Sequence, residues 1–348
     1  MPKIQVQGNA GVLGTGSCLP ERRVSSKEVA DLIGVDVRWI AERIGVRERR
    51  FAAAGETATT LAAGAATGAL AMAGLAADEL DAVVVATSTP DRPIPGVAAL
   101  LQATIGAQRA LAFDVNASCA GFLFALETAR GLLAADPHRR YVLVAAADTY
   151  SHYLNPADRR TYPLFGDGSG AVVLGRVPAG EGILTTELKT DGRLEKFATG
   201  GPRLPLAAEQ LAAGGHYIIM SGRDVANLVL SEFPRLINDT VKEQGITLRE
   251  LDHVICHQAN PRLLESCART VALTPDQLVI TGDMVANTAS ASVPIGLDVA
   301  VRDGRIRPGD AILMITFGAG MSWGRTFMRW PSPTAVTDEK ATKENAWN

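Results

Sequence analysis

Cysteine is scarce in this chain: four in 348 residues, none in a Cys-x-x-Cys pair. That argues against a structural zinc site and against a disulfide scaffold. Cys18, Cys119, Cys256 and Cys267 suit a reducing compartment. Excess charge is missing too. A net charge of −3 leaves no electrostatic footprint for nucleic acid. No apolar run is read as reaching the ~18 residues that cross a bilayer. The opening MPKIQVQGNAGVLGTGSCLP has no signal-peptide core. The expectation is a soluble, cytoplasmic protein that binds neither nucleic acid nor membrane and holds no metal. A dinucleotide fingerprint is also lacking. GVLGTG at 11–16 has no third glycine opening a helix, so it reads as a glycine-rich strand and turn. DGSG at 167–170 has no following Lys and reads as a turn rather than a phosphate loop.

What is present is an ordinary globular composition, 47% hydrophobic and 20% charged, at a length that suits two domains or a duplication. The central stretch is LAFDVNASCAGFLFALETARGLL, residues 111–133. It reads as a buried strand, a polar turn at Asn116-Ala-Ser118, then an apolar helix. Cys119 falls where that helix begins. Unpaired N–H groups and the helix dipole at such a point favour a thiolate, the form that attacks carbonyls. A free cysteine more often serves as a small buried hydrophobe, so its partners decide the matter.

The plan repeats. LDAVVVATST at 80–89 is matched by LDHVICHQAN at 251–260, each an acidic residue, a buried strand and a polar end. The central stretch is matched by VITGDMVANTASASVPIGLDVAVRDG from Val279, and RYVLVAAADT by DAILMITFGAG. Repeats at domain spacing predict two βαβ-rich halves with mostly parallel sheets. The halves are 1–178 and 179–330, with a polar, flexible tail at 331–348. The repeat places Asn287 close to the position that Cys119 holds in the first half. Cys119, His257 and Asn287 each follow a predicted strand at its carboxyl end, where α/β sheets bind ligands. The turn Phe317-Gly-Ala-Gly-Met321 offers backbone N–H groups that, with that of Cys119, suit an oxyanion. In RWIAERIGVRERRF, Arg38, Arg43, Arg47, Arg49 and Arg50 surround Trp39, an arrangement that can stack an adenine and bind phosphates.

Two enzyme classes use Cys, His and Asn in this order. A papain-like hydrolase has its Cys near the mature N-terminus in a C-G-S-C-W setting, whereas 118 residues precede Cys119 and the local sequence is ASCAGF. The other class is an acyl-thioester condensing enzyme. DVNASCAGF, HQANPR, ANTASASVP, FGDGSGAVVL and FGAGMSWG together resemble the β-ketoacyl-acyl-carrier-protein synthase III family over about residues 3–330.

The resemblance implies a duplicated, five-layered αβαβα thiolase-like fold, a homodimer, and a ping-pong reaction without a cofactor. Coenzyme A thioesters are the substrates, and an acyl carrier protein is a candidate partner. It implies that Cys119 is acylated and that His257 and Asn287 hold the malonyl thioester as CO₂ leaves. The N–H groups of Cys119 and Ala319 would form the oxyanion hole. Trp39 and Arg159 match an adenine sandwich, Arg43 a phosphate contact, Asn260 and Arg262 the pantetheine channel, and Phe165 the substrate cavity. Ile94 stands where the family has a pocket-gating aromatic, which implies a roomier acyl pocket. Asn227 replaces a basic residue of the carrier-docking helix, and Ala319 a glycine. The loop at 90–96 lacks the Glu of head-to-head condensing relatives. An acyltransferase of the same fold, passing its acyl group to a hydroxyl or amine in secondary metabolism, is the alternative.

Overall fold

The computed structural model describes residues 9–200 and 207–332; most of the tail expected at 331–348 lies outside the described residues. Runs of Val and Ala become central strands because both faces of a sheet are covered there. The first sheet holds β1 (Asn9–Cys18), β2 (Ala82–Ala86), β3 (Leu111–Val115), β4 (Val142–Asp148) and β5 (Gly168–Val177), in spatial order β1-β5-β4-β2-β3. The second holds β6 (Gly182–Thr190), β7 (His253–Cys256), β8 (Leu278–Val279), β9 (Ala311–Gly318) and β10 (Ser322–Arg329), in order β6-β10-β9-β7-β8. Adding five to each label of the first sheet gives the second, so the halves share one topology.

The sheets are mixed rather than mostly parallel. In the first, β2 runs parallel to β3 and β4, while β5 is antiparallel to β1 and β4. In the second, β7 is parallel to β8 and β9, while β10 is antiparallel to β9 and β6. The last two strands of each half follow one another without a crossover helix, which parallel neighbours require.

Six helices complete the layers: α1 (Ala58–Ala73), α2 (Val97–Ile105), α3 (Gly121–Ala135), α4 (Gly222–Gln244), α5 (Pro261–Thr270) and α6 (Ser292–Arg302). α3 and α6 lie between the sheets, where Phe122, Leu126, Val293 and Leu297 share one core with Val144 and Met314. α1 and α2 cover the outer face of the first sheet, α4 and α5 that of the second. α1 lies directly on β1 because β1 carries glycine there. A Cβ on Gly16 would come within 2.2 Å of the Ala65 carbonyl oxygen. Contrary to the sequence expectation, one segment, Ser118–Ala135, is long and apolar enough to cross a membrane by length and composition. It contains α3, the middle-layer helix, which is apolar on several faces because both sheets cover it.

β3 is not the buried strand its composition predicts. It ends its sheet, and Leu111 and Phe113 are each 36% exposed. Two smaller pieces close over the strand ends: helix Val37–Arg43 with the hairpin Arg23–Ser25/Glu48–Arg50, and the ribbon Ala198–Gly200/Ile218–Met220.

Candidate active site

Cys119 lies in a single 3-10 turn, Ser118–Ala120, that leads into α3. The turn starts at Ser118 with φ 48°, and the Asn116 side-chain oxygen accepts from the Ser118 N–H at 3.1 Å. The second half repeats this. Ala289 has φ 49°, the Asn287 Oδ1 accepts from the Ala289 N–H at 2.9 Å, and the 3-10 turn Ala289–Ala291 leads into α6. Asn287 therefore matches Asn116, and Ser290 matches Cys119. This corrects the expected equivalence of Asn287 with Cys119. Left-handed backbone at non-glycine residues is strained and collects at functional turns. Ser118, Ala286 and Ala289 all show it here.

Asn287 does not directly follow β8, since one helical turn, Gly282–Val285, intervenes. Its backbone is held by the first half: its N–H donates to the Leu164 carbonyl at 2.9 Å, and its carbonyl accepts from Gly166 N–H at 3.0 Å. With Oδ1 engaged by Ala289, its amide NH₂ is left to donate.

His257 follows β7 directly and is 3% exposed. The neighbouring motif residues brace the turn and the start of α5. Gln258 donates to the carbonyls of Cys256 and Val279 and accepts from the N–H groups of Thr281 and Gly282. Asn260 caps α5 by accepting from Leu263 N–H and donates to the Arg43 carbonyl, with Pro261 opening the helix. Ser292 fixes the imidazole. Its Oγ donates to the Ala289 carbonyl at 2.9 Å, so it accepts from His257 Nδ1–H at 2.7 Å. The network thus leaves Nε2 with a lone pair.

Cys119, His257 and Asn287 line one cavity of about 90 Å³, together with Tyr150, Phe165, Phe317, Ala319 and the ribbon residues Ala198, Ile218 and Met220. Phe165 stacks on Tyr150 with ring centroids 5.2 Å apart. A second cavity shares Met220, Val225, Ala259 and Asn287 with the first and opens between Arg43, Asn260 and Arg262. The two form a channel from the surface to Cys119. Gly318 lets β9 come close to the cysteine turn, since a Cβ there would lie 2.6 Å from the Ala120 nitrogen. Thr316 Oγ1 donates to the Cys119 carbonyl at 3.0 Å.

The electrostatics overturn the expected resting thiolate. Burial, and then the nearby Asp148 carboxylate, push the Cys119 thiol up to about 12. Apolar surroundings outweigh the helix start. Burial also pushes the His257 imidazole down to about 4, against an opposing bond to the Ala289 carbonyl. The resting pair is a neutral thiol and a neutral imidazole. A papain-type ion pair is not what this site holds.

The remaining expected contacts divide. Arg49 is fully buried, donating to Ser26 and the Pro163 carbonyl, so it is no phosphate contact. Arg38 pairs with Asp36 and Arg47 with Asp283, while Arg50 donates to the Pro20 carbonyl. Arg43 alone of the five lines the channel. Trp39 is half-buried against the apolar cluster of its cap rather than exposed. Arg159 is exposed and lines neither cavity. Arg262 donates to the Ala41 carbonyl and pairs with Glu265 at the channel mouth. Ile94 is 85% exposed and does not line the Cys119 cavity.

Sequence reading missed Ser292, Tyr150 and Asp148. Asp148 is wholly buried and accepts from Ser88, Thr89 and Ser290. Its signal was an acidic residue ending an otherwise apolar strand, AAAD.

Residues 113–192 match the family model of 3-oxoacyl-acyl-carrier-protein (ACP) synthase III, and residues 241–330 that of its C-terminal part. The β-ketoacyl-acyl-carrier-protein synthase III of Rhizorhabdus wittichii is 40% identical over 324 residues, covering 92% of this chain and 99% of that protein. The acetoacetyl CoA synthase NphT7 of Streptomyces sp. is 41% identical, with 92% and 98% covered. Among solved structures, the priming β-ketosynthase of the R1128 polyketide pathway superposes with a TM-score of 0.87 at 31% identity, covering 95% of this chain and all of that one. The chain is a decarboxylative condensing enzyme with a thiolase fold, and it belongs to the 3-oxoacyl-acyl-carrier-protein synthase III family.

Proposed function

We propose that Cys119 takes an acyl group from an acyl-CoA and passes it to the carbanion formed when a malonyl thioester loses CO₂. In the first half-reaction the thiol gives its proton to His257 Nε2 as sulfur attacks the acyl carbonyl. The oxyanion is held by the N–H groups of Cys119 and Ala319, and the departing coenzyme A sulfur takes the proton. In the second, Asn287 Nδ2 and His257 donate to the enolate oxygen. His257 becomes an Nε2–H donor when its Nδ1 proton passes to water, Nε2 takes one from water, and the Ser292 hydroxyl turns from the Ala289 carbonyl to donate to Nδ1. The carbanion attacks the Cys119 thioester, the β-ketoacyl product leaves, and the thiol regains a proton from water. No further cofactor enters the scheme. One observation carries the reading: three turns bring a neutral thiol, a neutral imidazole and an oriented carboxamide onto one apolar cavity.

Arg43, Asn260 and Arg262 at the channel mouth suit the phosphate end of coenzyme A or a carrier-bound pantetheine, with Trp39 and Arg159 as the adenine contacts. The relatives' names include both carrier-protein and CoA condensations, so the acceptor is a malonyl thioester on either. A homodimer belongs to the reading. The exposed edge of β3 supports it. A reducing cytoplasm suits the four free thiols.

Intact-mass spectra with a panel of acyl-CoAs test this. An acyl adduct is expected on the wild type and none on Cys119→Ala; an adduct that persists in the variant contradicts it. Acyl transfer to an alcohol with no CO₂ release would favour the acyltransferase.

A further inference from the structure

Asp148 ends β4 with no exposed surface, and its two oxygens face different halves of the molecule. Oδ1 accepts from the Ser88 N–H at 2.9 Å, the Ser88 hydroxyl at 3.1 Å and the Thr89 hydroxyl at 3.0 Å. Those donors belong to the first half. Oδ2 accepts from the Ser290 N–H at 3.0 Å and from the Ser290 hydroxyl, both in the second. Ser290 follows Ala289, whose N–H orients Asn287, and stands two residues before Ser292, which orients His257. Ser88 gives its proton to Asp148, so its oxygen accepts from the Tyr150 hydroxyl at 2.7 Å, and Tyr150 lines the Cys119 cavity. Only an ionised carboxylate satisfies donors on both sides. An asparagine would turn its NH₂ against N–H and O–H donors in one half.

We propose that Asp148 is a positioning residue for the condensation, tying the turn that orients Asn287 and His257 to the half that carries Cys119. This rests on the roles given above to those three residues. The groups facing Cys119 are Asp148, Tyr150 and His257. Burial raises the Asp148 carboxyl, while the Ser88, Thr89 and Ser290 donors favour its ionised form, and that carboxylate also disfavours a resting thiolate.

Purified wild type, Asp148→Asn and Ser290→Ala test it with three readouts: acyl adduct formation, CO₂ release from malonyl-CoA by the acylated enzyme, and the rate of Cys119 alkylation by iodoacetamide between about pH 7 and 9. Asp148→Asn is expected to slow CO₂ release about 10²-fold through misplacement of the donors. It is also expected to raise the alkylation rate, because removing the charge favours thiolate. Ser290→Ala keeps the N–H bond and should slow CO₂ release about tenfold, as for one hydrogen bond to a charged group. Folded Asp148→Asn with unchanged CO₂ release overturns the proposal. So does slower release with an unmoved alkylation profile, which a merely structural residue would give. If Asp148→Asn does not fold, Ser290→Ala decides: a wild-type release rate overturns the proposal, and the tenfold loss supports it. Absence of an adduct on the wild type would instead refute the role of Cys119.

Discussion

The turns Ser118–Ala120 and Ala289–Ala291 hold matching places in the two halves, each begun by a left-handed residue and braced by an asparagine two positions earlier. They differ in what approaches them. β2 pairs Ala82 with Val142 and β7 pairs His253 with Ile312. The same number of residues further along come Asp148 and Gly318. Asp148 reaches over to the second-half turn and ties Ser290 down, out of solvent. Gly318 has nothing to reach with, so the first-half turn keeps a cavity beside Cys119. One backbone frame thus gives an anchored serine in one half and an accessible nucleophile in the other. The chemistry lies in the strand-end residue and the turn residue rather than in the fold.

Making the two turns alike gives the largest expected effect. Cys119→Ser puts the second-half residue into the first, and intact-mass spectra should show no acyl adduct with any acyl-CoA, because a hydroxyl is a far weaker nucleophile than a thiol. Gly318→Ala fills the space that distinguishes the turns. Its Cβ meets the Ala120 nitrogen and the Ala117 carbonyl, so the turn must shift. Single-turnover acylation should fall by up to about 10²-fold, as for a displacement on the order of 1 Å. The thermal transition should drop with an overpacking cost of about 1–3 kcal/mol. Unchanged acylation would mean that the cavity does not depend on Gly318.

The smallest effect is on pH dependence. His257 stays neutral until the pH falls to about 4, where it gains a proton and can no longer accept one from Cys119. The acid limb of single-turnover acylation should therefore have its midpoint near pH 4, with little loss between about pH 7 and 6. A midpoint near the ordinary histidine value of about 6.5 would mean a solvated imidazole and would erase the contrast between a dry cavity and the surface.

Much of this was legible in the residues. Continuous apolar runs located β2, β4 and β7, and the repeat of LDAVVVATST in LDHVICHQAN exposed the duplication. Cys119, His257 and Asn287 stood at turns, and the structure brings them to one cavity. Three things stayed hidden for physical reasons. Protonation states depend on three-dimensional burial, which reversed the helix-start argument for Cys119. The strand-end acid AAAD marks Asp148 as unusual, but the partners of Ser292 and Asp148 lie across long chain separations, which no local pattern encodes. The arginine-rich segment reads alike whether its side chains face solvent, carboxylates or the core, and Arg49 went to the core.

Asn287→Ala tests the division of labour between the two half-reactions most directly. Stopped-flow acylation and CO₂ release from malonyl-CoA are measured on one preparation. Acylation needs Cys119 and His257, so the adduct should form at a near-normal rate. Decarboxylation loses a donor that acts on charge appearing only in the transition state, and should slow by about 10²–10³-fold. If folded Asn287→Ala fails to acylate, Asn287 orients the His257 base, as in a cysteine-hydrolase triad, and the assigned roles are wrong.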